Sequence, residues 1–264
     1  MPGMQLSGAR VVITGASRGL GEALAVRVAR RGARVALIAR SEDAITALAS
    51  ELGGDAYRAD LADAEGIDAL VARVGADGPI DVLVNNAGVD LTGAFTELAP
   101  ERIRELMMVN LLAPMLLCRA VIPMMQAQRT GHIVNVSSLS GTNSIPGVTP
   151  YSTSKAGLSH FTALLRAELK GSPITTTLAE LGPVESTMMD SLRSHEPTNR
   201  ALARLTKLGL VVDLDMGEVA DALVTAVERD RRHVRLPHRD ALFPLLTEAP
   251  RRMTEWLLTG VDAR

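Results

Sequence analysis

The sequence predicts an α/β fold: a doubly wound parallel sheet covered by helices on both faces, in one domain spanning residues 1–264. Three observations predict it. Short β-branched runs alternate with amphipathic helical stretches through most of the chain, the signature of successive β-α-β units. Those runs are apolar at successive rather than alternate positions, as in Arg34 to Ala39, which suits strands buried on both faces. The first run also leads through a glycine-rich turn into a helix, placing backbone N–H groups and a helix N-terminus together. A chain of 264 residues can bury a sizeable core.

Arg10 to Thr14 is the first strand, followed by Thr14-Gly15-Ala16-Ser17-Arg18-Gly19-Leu20-Gly21 and a helix from Leu20 to Arg31, ended by Gly32. Glycines in such a turn let the backbone approach a pyrophosphate closely, although a tight turn alone also needs glycine. The second strand ends at Ala39, with Arg40 and Ser41 next. An acidic residue at that tip would accept hydrogen bonds from a ribose 2′-OH. None is present, and Arg18 and Arg40 instead suit a 2′-phosphate, which favours NADP over NAD.

Ser41 is expected to cap a helix bearing Ile45, Leu48 and Leu52 on one face. Asp55 to Ala59 reads as the third strand, with Asp60 and Leu61 after it. Asp60 suits either an adenine amino group or a helix cap. Ile67, Leu70, Val71 and Val74 mark a further helix, and Ile80 to Val84 a fourth strand ending in Asn85-Asn86-Ala87-Gly88. Those small polar residues fit either close approach to a cofactor or a plain turn. A long helical region from about Pro100 to Gln128 is expected to break or bend near Pro114 and Pro123. Within it Asn110 lies among apolar residues, either as a hydrogen-bonded structural amide or as the holder of a water.

His132 to Val136 reads as a buried strand with Ser138 near its end. A Gly/Pro/Ser-rich loop follows, then a helix starting about Pro150. On that helix Tyr151 and Lys155 are four residues apart and share a face. A free phenol titrates near pH ~10. A nearby ammonium favours the phenolate and would lower that value, so Tyr151 could exchange a proton with a carbonyl or alcohol oxygen. Ser138 could hydrogen-bond the same oxygen. A Y-x-x-x-K pair alone is weak, because a buried tyrosine and a solvated lysine look the same.

These motifs, in this order, resemble those of the short-chain dehydrogenase/reductase family. The stretch from Thr14 to Gly21 resembles its T-G-x-x-x-G-x-G motif, and Asp60-Leu61 and Asn85 to Gly88 resemble its next two signatures. Asn110, Ser138, Tyr151 and Lys155 fall where the family carries its Asn-Ser-Tyr-Lys tetrad. The resemblance covers roughly residues 8 to 190. It implies a Rossmann-type sheet with a nicotinamide dinucleotide, here NADP, held by Gly15, Ser17, Arg18, Gly19, Leu20, Gly21, Arg40, Asp60, Leu61, Asn86, Ala87, Gly88, Tyr151, Lys155, Gly182, Val184 and Ser186. It makes Tyr151 the acid/base, Lys155 its pKa-lowering partner and ribose ligand, Ser138 the orienter of the substrate, and Asn110 the keeper of a relay water. One departure is Leu181-Gly182 where the family has Pro-Gly; whether Ser186 or Thr187 meets the carboxamide stays open. Family analogy also implies a homodimer or homotetramer.

Residues 188–215 are expected to form a helical substrate lid, with Met188, Met189 and Leu192 as adaptable contacts. A helix over Gly217 to Glu228 and a short strand over Val234 to Leu236 follow. Residues 238–264 form an amphipathic extension flanked by arginines, with Met253, Trp256 and Leu257 on one face. It is expected to pack on its own body or a neighbouring subunit, with a membrane surface as the alternative. The expected substrate is a bulky, mainly apolar carbonyl or secondary alcohol.

Composition narrows the partners. A net charge of −2 and 2% aromatics give no footprint for nucleic acid. Cys118 is the only cysteine, so no disulfide forms within the chain, and it reads as a small buried hydrophobe. The five histidines show no ligand spacing, so no metal is expected. The N-terminus lacks an apolar signal region and no integral membrane span is expected, leaving a cytoplasmic protein as the default. The rival to an oxidoreductase is a cofactor-binding regulatory or interaction protein without turnover.

Overall fold

A computed structural model describes residues 3–143, 145–184, 192, 195–207 and 211–237. Seven strands form one parallel sheet in the order β3-β2-β1-β4-β5-β6-β7. They are β1 (Arg10–Thr14), β2 (Arg34–Ala39), β3 (Asp55–Arg58), β4 (Val82–Asn85), β5 (Gly131–Ser138), β6 (Ile174–Leu181) and β7 (His233–Leu236). Eight helices among the described residues accompany them: α1 (Gly19–Arg30), α2 (Glu42–Leu52), α3 (Gly66–Ala76), α4 (Pro100–Met107), α5 (Ala113–Ala127), α6 (Thr149–Glu168), α7 (Glu196–Lys207) and α8 (Met216–Glu228).

The unbroken apolar runs now have their reason. Val11 and Ile13 of β1 pack with α1 and α8, among Leu24, Val28, Val219 and Leu223. Val12, between them, points to the opposite layer and joins Ile67 and Leu70 of α3 and Leu117 and Val121 of α5. Strands β1, β2, β4, β5 and β6 therefore each feed two cores, and alternation between apolar and polar residues would have left one layer empty. Strand order reverses at β1–β4, and in open sheets of this kind the crevice at the carboxyl ends of the reversing strands is where ligands bind.

Four local expectations are corrected. Strand β4 starts at Val82 rather than Ile80. Ser41 occupies the N-cap of α2, but its side chain makes no cap hydrogen bond. The long helix changes at a π-turn, Met108–Leu112, one turn before the expected break at Pro114, and Pro123 lies inside α5. Residues Pro100–Ala127 are together long and apolar enough to cross a membrane by composition. Here Leu106, Ala113, Leu117, Cys118, Val121 and Met125 are buried, and all but Leu106 belong to the core layer beneath the sheet.

The amino ends of the strands are closed by buried polar clamps. The Arg10 guanidinium, 2% exposed, donates to Val74 O at 2.6 Å, Asp55 at 3.0 Å and the Tyr57 hydroxyl at 2.6 Å. Tyr57 in turn donates to Asp77 at 2.6 Å. On β5, the fully buried His132 ring lies between the hydroxyls of Thr175 (2.7 Å) and Thr177 (2.9 Å). Burial pushes His132 down to about 4, outweighing the nearby Asp230 carboxylate.

Candidate active site

A cleft of about 1190 Å³ opens over the carboxyl ends of β1, β2, β4, β5 and β6. Of the expected cofactor residues, Gly15, Ser17, Arg18, Gly19, Leu20, Arg40, Asp60, Leu61, Ala87, Gly88, Gly182 and Val184 line it.

The glycine turn divides its labour. Gly19 has φ +62°, and a side chain there would meet only Met216 Cε, at 4.0 Å. The space over this residue, at the start of α1, is open to a phosphate. Gly21 instead faces inward and does not line this cleft: a Cβ would lie 2.3 Å from Gly15 O, so it serves helix-to-turn packing. Asn86 also lines the cleft, but its side chain is engaged by the turn. Its Nδ2 donates to Thr14 O at 2.9 Å and Gly15 O at 3.3 Å. Thr14 Oγ1 accepts from both Asn86 N and Ala87 N at 3.0 Å. Asn86 thus holds the cradle in shape.

Asp60 accepts from Ala62 N at 3.0 Å in a local turn; it is not a helix cap, since α3 starts only at Gly66 with Glu65 at its N-cap, and the residue borders the cleft. At the tip of β2, Ala39, Arg40 and Ser41 border it and no carboxylate occupies the tip. Arg40 lies 3.9 Å from Glu105, with its side chain 62% exposed. A pair so loose and solvated is worth little and leaves the guanidinium able to turn toward a phosphate.

The reacting wall comes from β5 and α6. Ser138 ends β5; its hydroxyl donates to Leu181 O at 3.2 Å and accepts from Ser140 N at 3.1 Å. Tyr151 and Lys155 stand one turn apart on α6, with Lys155 Nζ 5.8 Å from the Tyr151 ring centroid. Ser137 points the other way, hydrogen-bonding Lys155 O and Ser159 at 2.8 Å, and belongs to the seat of α6.

The Tyr151 phenol is not lowered in the protein by itself. Burial pushes it up to about 12; a hydrogen bond with Ser138 opposes the rise and the charge of Asp90 adds to it. Burial pulls Lys155 down to about 8, and its ammonium donates to Val136 O at 2.9 Å. Withdrawal from water disfavours the charged form of each group, and it is the largest cause for both.

Asn110, at the centre of the π-turn, is fully buried. Its Oδ1 accepts from Val89 N and its Nδ2 donates to Val89 O, both at 2.8 Å, with Ser154 Oγ at 3.3 Å. The side-chain amide thus pins the loop after β4, the structural alternative for this residue. π-turns recur at functional sites.

Beyond these, Asp90, Thr92, Ser140, Asn143 and Met216 also line the cleft; no motif marks them, and only the folded arrangement brings them there. Leu192, with Thr198, Leu202 and Leu205 of α7, forms the far wall. Ser186, Met188, Met189 and the extension 238–264 lie outside the described residues.

Parallel sheet, phosphate cradle and a Ser/Tyr/Lys wall on one cleft define a nucleotide-dependent α/β enzyme architecture. The short chain dehydrogenase family profile matches residues 9–197, and the chain belongs to that family of oxidoreductases. It is 36% identical over 190 residues to the ketoacyl reductase HetN of Nostoc sp., covering 70% of this chain and 66% of that protein, just under two thirds of its length. It is 30% identical over 222 residues to the 3-oxoacyl-[acyl-carrier-protein] reductase FabG of Escherichia coli, covering 83% and 87%. Among solved structures, a short-chain dehydrogenase from Streptomyces avermitilis superposes with TM-score 0.79 at 28% identity, covering 98% and 100%. A metagenomic short-chain oxidoreductase in complex with NADP gives TM-score 0.71 at 32% identity, covering 88% and 98%. A Burkholderia phymatum protein in complex with NAD gives 0.80 at 24% identity, covering 95% and 96%, a likeness of fold.

Proposed function

We propose that this protein is an NADP-dependent carbonyl reductase or alcohol dehydrogenase. One observation carries the reading: Ser138, Tyr151 and Lys155 line the same cleft as the open glycine turn. NADP(H) would supply or accept the hydride, held by the backbone of Gly15 to Leu20, by Val184 and by Lys155, with Arg18 and Arg40 at its 2′-phosphate. The absence of a carboxylate at the β2 tip supports that phosphate over a bare ribose.

The protein's own part is proton handling and orientation. Tyr151, protonated across neutral pH with its value at about 12, is set to give its proton to a carbonyl oxygen in reduction; to take one from an alcohol in oxidation it must first lose its own. Ser138 hydrogen-bonds the same oxygen. Lys155 brings a positive charge to the site when protonated, and its anchor on Val136 O fixes where that charge sits. The apolar part of the substrate lies against Leu192, Leu202 and Leu205, and residues 188–215 serve as its lid.

NADPH consumption with a panel of ketones and aldehydes tests the proposal. Oxidation of NADPH by the parent but not by Tyr151→Phe supports it. Binding of NADPH with no turnover on any carbonyl would favour a regulatory protein instead. We also place the protein in the cytoplasm as a dimer or tetramer. Exposed Leu112, Met115 and Leu164, on the π-turn, α5 and α6, support assembly, which light scattering reads directly.

A further inference from the structure

Helix α7 forms the far wall of the cleft with little buried surface to hold it there. Only Thr198 and Leu202 of its residues are buried. Leu202 lines the cleft and belongs to neither core layer. The buried tie to the body is therefore a polar one. The Thr198 hydroxyl, fully buried, donates to Pro146 O at 2.9 Å and lies 2.8 Å from His195 Nδ1. A carbonyl oxygen only accepts, so the single hydroxyl proton goes to Pro146, and a lone pair accepts from His195 Nδ1–H. Gly147 makes room for this clasp. Its φ is +85°, and a Cβ there would lie 2.1 Å from the Thr198 hydroxyl oxygen.

The clasp sits in the first turn of α7, where Asn199 N donates to His195 O at 2.9 Å. Thr198, Leu202 and Leu205 follow at i, i+4 and i+7, so they share one face, and all three line the cleft. How α7 is turned about Thr198 therefore fixes where two leucines meet an apolar substrate. The post that receives the clasp is shared. Gly147 O, the next carbonyl after Pro146, accepts from Gly93 N at 2.9 Å, and Gly93 follows Asp90, Leu91 and Thr92, which line the cleft. Val148 is the N-cap of α6, whose first turn carries Tyr151. The far wall, the loop after β4 and the approach to the acid/base thus meet on two consecutive carbonyls.

We propose that Thr198 is a positioning residue for substrate specificity: its hydroxyl, clasped between Pro146 O and the His195 ring, holds α7 so that Leu202 and Leu205 close on the apolar body of the substrate. The inference rests on the oxidoreductase reading and assigns the preference for bulky carbonyls to one hydrogen bond. A valine has the shape of threonine but no proton to donate, so Thr198→Val frees Pro146 O and α7 with it. Thr198→Ser keeps the hydroxyl and the clasp.

The test compares butanone with benzylacetone, methyl ketones that differ by one phenyl group, using the full-length protein and NADPH. The parent should favour benzylacetone. Thr198→Val should lower the benzylacetone-to-butanone ratio of kcat/KM about fivefold, chiefly through KM, and Thr198→Ser should keep the parent ratio. Because each ratio is taken within one variant, a general loss of activity cancels. Limited trypsin digestion reads the helix itself. Cleavage after Arg200 and Arg204, exposed on α7, is measured against cleavage after Arg73, exposed on α3. It should rise in Thr198→Val and stay at the parent level in Thr198→Ser. An unchanged ketone ratio or unchanged α7 cleavage in Thr198→Val overturns the proposal while leaving the reductase reading intact. If neither ketone turns over, that reading fails instead, and digestion alone decides the clasp. Faster α7 cleavage in Thr198→Val but not in Thr198→Ser sustains it, and equal cleavage in all three proteins overturns it.

Discussion

The chain has two tyrosines, Tyr57 and Tyr151, and burial pushes both up to about 12. They stand at opposite ends of the sheet. Tyr57 accepts from Arg10 and donates to Asp77, both at 2.6 Å, so its oxygen is fully spoken for. Tyr151 lines the cleft beside Ser138, whose hydrogen bonding opposes its rise. The same shift thus accompanies a clamp at one end and a proton donor at the other. A perturbed pKa marks withdrawal from water. Whether it marks chemistry depends on what capacity for hydrogen bonding the neighbours leave over.

The sharpest way to break the contrast is to remove each hydroxyl. Tyr151→Phe should lower kcat about 10²- to 10⁴-fold with little change in the unfolding midpoint, read by steady-state kinetics beside thermal melts. Near-normal turnover would end the assignment of Tyr151 as acid/base.

At the same end of the sheet, Arg40→Asp should move the NADP-over-NAD preference toward NAD by about 10- to 100-fold, through loss of a charged hydrogen bond and gain of a 2′-OH acceptor. The ratio of kcat/KM for the two cofactors measures it. A parent that already prefers NAD would contradict the reading of the β2 tip.

His132, at the closed end, should report in stability alone. Its folded value of about 4 lies below the ordinary 6.5, so between those limits the unfolded chain binds the extra proton. Stability from this residue is fully present above pH ~6.5 and is lost as pH falls toward ~4. At pH ~5 the loss should be about 2 kcal/mol relative to pH ~7. Urea unfolding of the parent and His132→Gln at both pH values measures it; the variant should lack that component.

Smallest in expected effect, Tyr57→Phe should cost about 1–2 kcal/mol of stability by removing one hydrogen-bond partner each from Arg10 and Asp77, with kcat within about twofold. A large loss of activity there would erase the distinction between the two ends.

What could be read from the sequence follows the range of the interactions. Tyr151 and Lys155 share a face because one helix turn fixes them, and the Gly15 to Gly21 turn is likewise local. Most strands were legible because the inner ones must feed two apolar layers. The roles of Asn86 and Asn110 were not, since their partners, Thr14, Gly15 and Val89, come from distant or loop segments. The rise in Tyr151 was missed because spacing shows a neighbour's charge but not how much water the fold removes. Thr198 was invisible for the same reason, since the carbonyl it holds, on Pro146, belongs to another segment.

The π-turn at Met108–Leu112 carries a last consequence. A π-turn accommodates one residue beyond the α-helical repeat, and each residue of an α-helix advances its phase by about 100°. Deleting one residue from this segment would let the backbone relax into an uninterrupted α-helix. The same deletion would leave α4 and α5 near their present phase, because the wide turn absorbs its extra residue locally, but it would remove the widened turn that aims Asn110 at Val89. This stretch is therefore tuned by its length as much as by its composition. Within families that share the turn, insertions and deletions should avoid it even where substitutions accumulate.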